Sequence, residues 1–205
     1  TIQILNLKPK KLIVYDNNEK NLYFLGLRIE KINPTIPYEL ILADATDLKF
    51  LKKVFLRNKV DVVFHAAAYK HVPIVEKNPI TGIYNNVFST YFICKLSKEI
   101  GIKRFTLISS DKAVRPKNVM GATKRLAELI VQGFAKVNEI NGEINSKSTI
   151  FSMVRFGNVL GSSGSVVPKF QSQINKGETI TLTHPDIVRY FMSIPEAVQL
   201  VIQSS

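Results

Sequence analysis

The densest run of chemically capable side chains is Ile108-Ser109-Ser110-Asp111-Lys112-Ala113. Beyond Pro116 it is followed by Asn118-Val119-Met120-Gly121-Ala122-Thr123-Lys124-Arg125. A hydroxyl, a carboxylate and an ammonium side by side, with a second lysine from the next segment, form a candidate acid, base and cofactor anchor in one cleft. The same residues would equally make a turn, an exposed ion pair and a helix start. Their place after an apolar run, at the carboxyl edge of a strand, favours the chemical reading.

Two carboxylates follow earlier apolar runs. Asp16 closes Lys11-Leu12-Ile13-Val14-Tyr15, where a dinucleotide fold places an acid that accepts hydrogen bonds from the adenosine ribose and repels a 2′-phosphate. That favours NAD over NADP, although Asp16-Asn17-Asn18 would serve as well as a turn with helix-capping groups. Asp44, with Ala45 beside it, is placed similarly near the adenine, with the same ambiguity. His65-Ala66-Ala67-Ala68 ends another run, and its small side chains let backbone approach a flat ligand, or a helix pack closely. Tyr69, Lys70 and His71 put polar groups at the same edge. A lone histidine more often makes a structural hydrogen bond than transfers a proton, so neither His65 nor His71 is given a catalytic part. The last third adds Arg155, Asn158, Ser162, Ser163, Ser165, His184-Pro185-Asp186 and Arg189. Arginine forks suit a diphosphate, although any one of them more often forms a surface ion pair.

These residues need a scaffold that brings strand ends together. Apolar runs at 11–15, 40–43, 60–64, 105–108 and 150–154 are near-continuous, as strands of a parallel sheet covered on both faces are. Helical stretches lie between them, the clearest at 80–100 and at 118–140, where Leu126, Leu129, Ile130 and Phe134 recur at helical spacing. Strand alternating with helix predicts an α/β fold with a doubly wound parallel sheet. From about Gly157 onward the pattern is mixed, interrupted by Pro168, Pro185 and Pro195, and reads as a small cap over a substrate. Gly157, Gly161 and Gly164 do not make a phosphate loop, because three residues rather than one separate the first two.

The 205 residues are 45% hydrophobic and 21% charged, the composition of an ordinary globular domain. No run approaches the roughly 18 apolar residues that cross a bilayer. The single cysteine, Cys94, excludes a disulfide framework and a clustered-thiol metal site, and reads as a core residue. Twenty-eight Lys and Arg against sixteen Asp and Glu leave a net charge of +12, spread along the chain without the dense blocks of nucleic-acid binders. Residue 1 is threonine, residues 1–7 read as the tail of a helix, and an apolar helical stretch runs at 197–202. The expectation is a piece of a longer protein, with a first strand and glycine-rich turn upstream.

Taken together, the motifs resemble the extended short-chain dehydrogenases acting on nucleotide sugars, and within them the polysaccharide-biosynthesis UDP-N-acetylglucosamine 4,6-dehydratases. The resemblance runs nearly end to end. It rests on residues 12–16, on His65-Ala66-Ala67-Ala68-Tyr69-Lys70-His71-Val72-Pro73 and on Ser110-Asp111-Lys112-Ala113-Val114-Arg115-Pro116. Residues 118–125, Val154-Arg155-Phe156-Gly157-Asn158-Val159-Leu160-Gly161-Ser162 and Arg189-Tyr190-Phe191-Met192 complete it.

The resemblance implies a Rossmann-like NAD-binding core at 1–156 and a substrate-binding region at 157–205. By it, Asp111 protonates the departing C6 hydroxyl, Lys112 removes the C5 proton, Ser110 lies near the C4 oxygen, and Lys124 holds the nicotinamide ribose. Asp16, Asp44, Ala45, Ala66, Ala67 and Ala68 fall to the cofactor; Lys70, His71, Asn158, Ser165 and Arg189 fall to a UDP-sugar. The superfamily carries tyrosine four residues before the lysine, and here that position is Met120, which cannot be a general base. Either catalysis is lost or the chain stands with the larger membrane-anchored dehydratases that have methionine there. We favour the second, since Asp111 and Lys112 remain. The expected product is a 4-keto-6-deoxy sugar nucleotide, made by a homo-oligomer built through the helices at 80–100 and 118–140. Its location would be a cytoplasmic domain, joined to the inner membrane through upstream helices. An epimerase, a non-catalytic sugar-nucleotide-binding domain and, last, a nucleic-acid-binding protein are the alternatives.

Overall fold

In the computed structural model the described residues are 1–205 apart from 33, 141–147, 162–165, 183, 185 and 187. A short helix α1 (Ile2–Asn6) leads into strand β1 (Leu12–Asp16), helix α2 (Glu19–Ile32) and strand β2 (Tyr38–Leu42). β1 and β2 pair in parallel, Leu12 opposite Tyr38 and Asp16 opposite Leu42. Alternate residues of β1 point to opposite faces, as strand geometry requires. Leu12 and Val14 pack with Leu5 of α1 and Ile29 of α2, while Ile13 and Tyr15 join the larger core on the other side. Burial on both faces is why the strand has no polar alternation.

Helix α3 (Leu48–Asn58) is capped by Asp47, whose side chain accepts a hydrogen bond from the Phe50 amide, and precedes strand β3 (Val62–His65). Short helices α4 (Val72–Lys77) and α5 (Pro79–Ile83), a π-helical turn at Tyr84–Phe88 and helix α6 (Ser89–Ile100) carry the chain to strand β4 (Arg104–Ser110). A 3-10 turn at Asp111–Ala113, helix α7 (Val119–Ile140) and strand β5 (Ile150–Phe156) follow. β4 lies between β3 and β5, all parallel. The larger core, with Leu51, Val54, Ile93, Leu96, Phe105, Leu107 and Val131 buried, is shared by α3, α6, α7 and the strands.

Three expectations are refined. The strands form two parallel sheets, β1 with β2 and β3 with β4 and β5, rather than one continuous sheet; in the doubly wound order a further strand stands between those two positions. The helix expected at 80–100 is present, its backbone helical throughout, but it carries a π turn at Tyr84–Phe88, where buried Asn86 turns its side chain to partners outside the helix. On α7 the buried stripe is Met120, Thr123, Lys124, Ala127, Glu128 and Val131, whereas Leu126 and Leu129 are exposed. Periodicity located that helix, but its most apolar ridge faces outward.

After Phe156 the chain leaves the sheet. A two-residue strand β6 (Asn158–Val159), helix α8 (Val166–Asn175), a two-residue strand β7 (Phe191–Met192) and helix α9 (Ile194–Gln203) complete the chain. β6 and β7 pair in parallel, and α9, closed at its start by the reciprocal bonds of Ser193 and Glu196, packs against β5. A β-carbon at Gly157 would stand 3.0 Å from the Tyr190 carbonyl oxygen, so this glycine lets the segments leading into β6 and β7 pack closely. Cys94 is fully buried in the core, which pushes its thiol pKa up. No helix among the described residues is long and apolar enough to cross a membrane.

Candidate active site

At the carboxyl ends of β1 and β3 lies a cavity of about 630 Å³, lined by Tyr15, Asp16, Asn17, Ala43, Ala45, Ala66, Ala67, Ala68, Tyr69, Lys70, His71 and Asn85, among others. The cofactor candidates Asp16, Ala45, Ala66, Ala67 and Ala68 are therefore gathered in one place. Lys70 and His71, expected to meet the sugar, line the same cavity. Asp16 also accepts a hydrogen bond from the Asn18 amide at 2.8 Å, so it makes the turn and borders the cavity at once.

Asp44 has another task. Its carboxylate accepts from the Thr46 amide and hydroxyl at 2.8 and 2.7 Å and from Asn17 at 3.3 Å. The bonds from Thr46 outweigh its partial burial and hold its pKa low. It braces the wall, and the lining falls to its neighbours Ala43 and Ala45. The Tyr15 hydroxyl donates to the Asp44 carbonyl at 2.9 Å; burial, then Asp47 and Asp44, push its pKa up to about 12.

His65 closes the floor of β3, 4% exposed, with Nε2 2.9 Å from the Thr90 hydroxyl. Desolvation, assisted by nearby Lys124, brings its pKa down to about 3, so the buried ring stays neutral.

The second group stands at the end of β4. The Ser110 hydroxyl donates to Asp111 Oδ1 at 2.9 Å and receives the Lys112 amide at 3.2 Å, which winds the chain into the 3-10 turn. Lys112 Nζ donates to Asp111 Oδ1 at 3.1 Å. Partial burial opposes ionisation of Asp111, but the bonds from Lys112 and Ser110 outweigh it and hold the carboxyl below its ordinary range. Both side chains remain partly open to solvent, at 36% and 42% exposure.

Helix α7 supplies the rest. Met120 is buried at 3% exposure and brings no proton-transferring group. Lys124, 8% exposed, donates from Nζ to the Ile108 carbonyl at 2.6 Å. Desolvation lowers its pKa to about 8, against a smaller upward pull from Glu128. Neither Lys124 nor the Ser110-Asp111-Lys112 turn lines the cavity; adjoining strands β3 and β4 carry the two groups.

What joins them is Asn86, which sequence reasoning passed over. Its Oδ1 accepts from the Tyr69 amide at 2.7 Å, and its Nδ2 donates to the Tyr69 carbonyl and the Thr123 hydroxyl, each at 3.0 Å. One buried amide thus ties the cavity wall to the residue before Lys124. The signal was available: a pair of asparagines inside an otherwise apolar helical stretch is locally unfavourable, and such residues and π turns mark special sites.

Arg155 is a correction. Offered as a diphosphate ligand, it instead forks onto Glu128, with Nε–Oε1 and Nη2–Oε2 distances of 2.6 and 2.5 Å. Beyond β5, Asn158 is half-buried in β6 and its backbone amide donates to the Tyr190 carbonyl. Arg189 is exposed and donates to the Val188 carbonyl. The structure does not bring these two onto the Asp111–Lys112 pair by any hydrogen bond among the described residues. His184 accepts from the Asp186 amide in an exposed turn. Ser162, Ser163, Ser165 and Pro185 lie outside the described residues.

The chain is 43% identical over 203 residues to the capsular polysaccharide biosynthesis protein CapD of Staphylococcus aureus, covering 98% of this chain and 33% of that protein. It is 34% identical over 200 residues to an inverting UDP-N-acetylglucosamine 4,6-dehydratase of Campylobacter jejuni, covering 97% of this chain and 56% of the relative. The X-ray structure of Pen from Bacillus thuringiensis superimposes with a TM-score of 0.86 at 33% identity, covering 98% of this chain and 61% of that one. The chain thus spans between 33% and 61% of the length of these relatives. The sequence profile described as polysaccharide biosynthesis protein matches residues 1–205, and the chain belongs to that family.

Proposed function

We propose that the protein removes water from a UDP-N-acetylhexosamine, UDP-N-acetylglucosamine being the first substrate to try, to yield a 4-keto-6-deoxy sugar nucleotide for polysaccharide assembly. The observation carrying this reading is the Asp111–Lys112 pair on the end of β4, with Met120 in place of any tyrosine base. Likeness to sugar-nucleotide enzymes over nearly the whole chain supports the broader class, and the pair favours dehydration within it.

The cavity fits a dinucleotide. Three consecutive alanines leave room for a flat group at the end of β3, and Asp16 at the end of β1 is placed to accept ribose hydroxyl hydrogen bonds and to repel a 2′-phosphate. Lys124, on α7, would hold the nicotinamide ribose. When bound, NAD supplies reversible hydride exchange and is not consumed.

The protein's own residues handle the protons. Oxidation at C4 releases the proton of that hydroxyl, and Met120 cannot accept it. Ser110 Oγ already donates to Asp111 Oδ1, so a proton passed through Ser110 reaches a carboxylate that is anionic at rest. Asp111 becomes the acid required next. Lys112, partly open to solvent, gives up its own proton and becomes the base. It takes the C5 proton, Asp111 protonates the C6 oxygen, and water leaves. Lys112 finally returns that proton to C5 and, taking back from solvent the one it gave up, is again the ammonium paired with the Asp111 carboxylate. Acid and base adjacent in sequence serve adjacent carbons.

Mass spectrometry of UDP-N-acetylglucosamine incubated with the protein and NAD tests the reading, beside Asp111→Asn and Lys112→Ala. Loss of one water only with the pair intact is expected. An unchanged mass with NAD demonstrably bound overturns it and leaves an epimerase or a silent binding domain, which proton exchange at the sugar carbons separates.

A further inference from the structure

The most fully satisfied charged group in the described structure has no part in that cycle. Glu128 on α7 is 0% exposed, and both of its oxygens are fully engaged. Oε1 accepts from the Ser109 hydroxyl at 2.6 Å and from Arg155 Nε at 2.6 Å; Oε2 accepts from Arg155 Nη2 at 2.5 Å and from Arg125 at 3.0 Å. Ser109 and Arg155 are register partners on β4 and β5. One turn earlier on the same face of α7, Lys124 takes the carbonyl of Ile108 at 2.6 Å. Two consecutive residues of β4 are therefore held by two consecutive turns of α7, immediately before Ser110-Asp111-Lys112.

We propose that Glu128 is a positioning residue: through Ser109 and Arg155 it fixes the end of β4, and with it the direction in which Ser110, Asp111 and Lys112 meet the substrate. Stability alone does not explain the network, since buried ion pairs commonly add little over well-packed apolar residues of the same volume. Direction does explain it. A strand end held only by its ladder can tilt where the ladder stops: the ladder to β3 ends at Leu107 and that to β5 at Ser110, and the turn bearing Asp111 and Lys112 starts immediately beyond. The two arginines also fill the carboxylate completely, so it is not free to compete with Asp111 for Lys112. Displacement of reacting groups by about an ångström, caused at a distance, can cost on the order of a hundredfold in rate.

The inference rests on the dehydratase reading, and the test separates the two. In the intact protein, Ser109→Ala removes one hydroxyl and no charge, while Glu128→Gln leaves Arg155 with a neutral partner. Each is assayed for kcat and KM with UDP-N-acetylglucosamine, for NAD affinity, for thermal midpoint, and for amide hydrogen exchange across 104–115 without ligands. Expected are a kcat loss of about tenfold for Ser109→Ala and about a hundredfold for Glu128→Gln, with KM and NAD affinity within about threefold. Faster exchange confined to 109–113 should accompany it, and Ser109→Ala, which keeps both arginines on Glu128, should lower the midpoint less than Glu128→Gln does. Unaltered kcat in Ser109→Ala together with unaltered exchange overturns the positioning role. Wild-type protein that dehydrates nothing overturns the reaction instead, and the exchange at 109–113 then decides the clamp by itself.

Discussion

The backbone of Gly121 rests directly on the carbonyl oxygen of Lys112: a β-carbon at 121 would overlap that oxygen and approach Pro116 Cβ to 3.2 Å. The first turn of α7 and the turn bearing the proposed acid and base are therefore packed backbone to backbone, at a distance only glycine permits. Gly121→Ala must push one of them aside. The expected result is about 1–3 kcal/mol of destabilisation and a kcat loss of at least about tenfold. Thermal melting and steady-state assay check it; full activity in the alanine variant would show that the turn is not held from this side.

The protein should lose stability in mild acid through His65. Its folded pKa lies near 3 and its unfolded pKa near 6.5, so below 6.5 the unfolded chain binds a proton that the folded protein refuses. Stability is full above pH 6.5 and falls toward pH 3, by about 1.4 kcal/mol per pH unit at most. Urea titrations of wild type and His65→Gln at pH 7 and 5.5 measure this. The difference between the two proteins should change with pH, and a parallel offset would refute it.

Lys124 should trade stability for function. Burial lowers its pKa to about 8 from 10.5, so the folded state carries this ammonium at a cost, and wild-type stability should rise as pH climbs from 8 to 10.5. Lys124→Met, which fits the apolar stripe, should lack that rise and melt no lower than wild type near neutrality, while losing NAD binding. Calorimetry with a nucleotide titration decides; a strongly destabilised variant would mean that the bond to Ile108 dominates.

Self-association is expected through the outer faces of the π turn, α6 and α7. Tyr84, Phe88, Tyr91, Leu126 and Leu129 are each between 41% and 51% exposed there, a large apolar share for adjoining helices. Light scattering should report a dimer or larger at micromolar concentration, converted to monomer by Leu126→Glu with Leu129→Glu. Monomeric wild type would rule this face out as the contact.

How much of this was legible beforehand varies by residue. The parallel α/β architecture was, because strands buried on both faces must be apolar throughout and α7 must repeat every three to four residues. The cavity wall of Asp16 and the three alanines, and the Ser110-Asp111-Lys112 turn, were legible too, because strand ends are short in sequence and their chemistry is contiguous. Which face of α7 is buried was not: Leu126 and Leu129 mark an apolar ridge, yet the buried stripe carries Lys124 and Glu128. Two charged residues in step with Met120, Ala127 and Val131 were visible in the sequence, but their partners were not.

By itself, then, the sequence determined the fold class, the family and the residues able to move protons, since these depend on local pattern and on residue type. Only the tertiary structure decided that Arg155 belongs to Glu128, that Asp44 is spent on Thr46 and Asn17, that Asn86 spans two walls, and that His65 is neutral. The reason is physical. Hydrogen-bond partnership and burial depend on separations of a few ångströms between residues mostly distant in sequence: 25 positions from His65 to Thr90, 27 from Asp44 to Asn17 and from Glu128 to Arg155, and 37 from Asn86 to Thr123. Folding sets those separations, and no spacing along the chain encodes them singly.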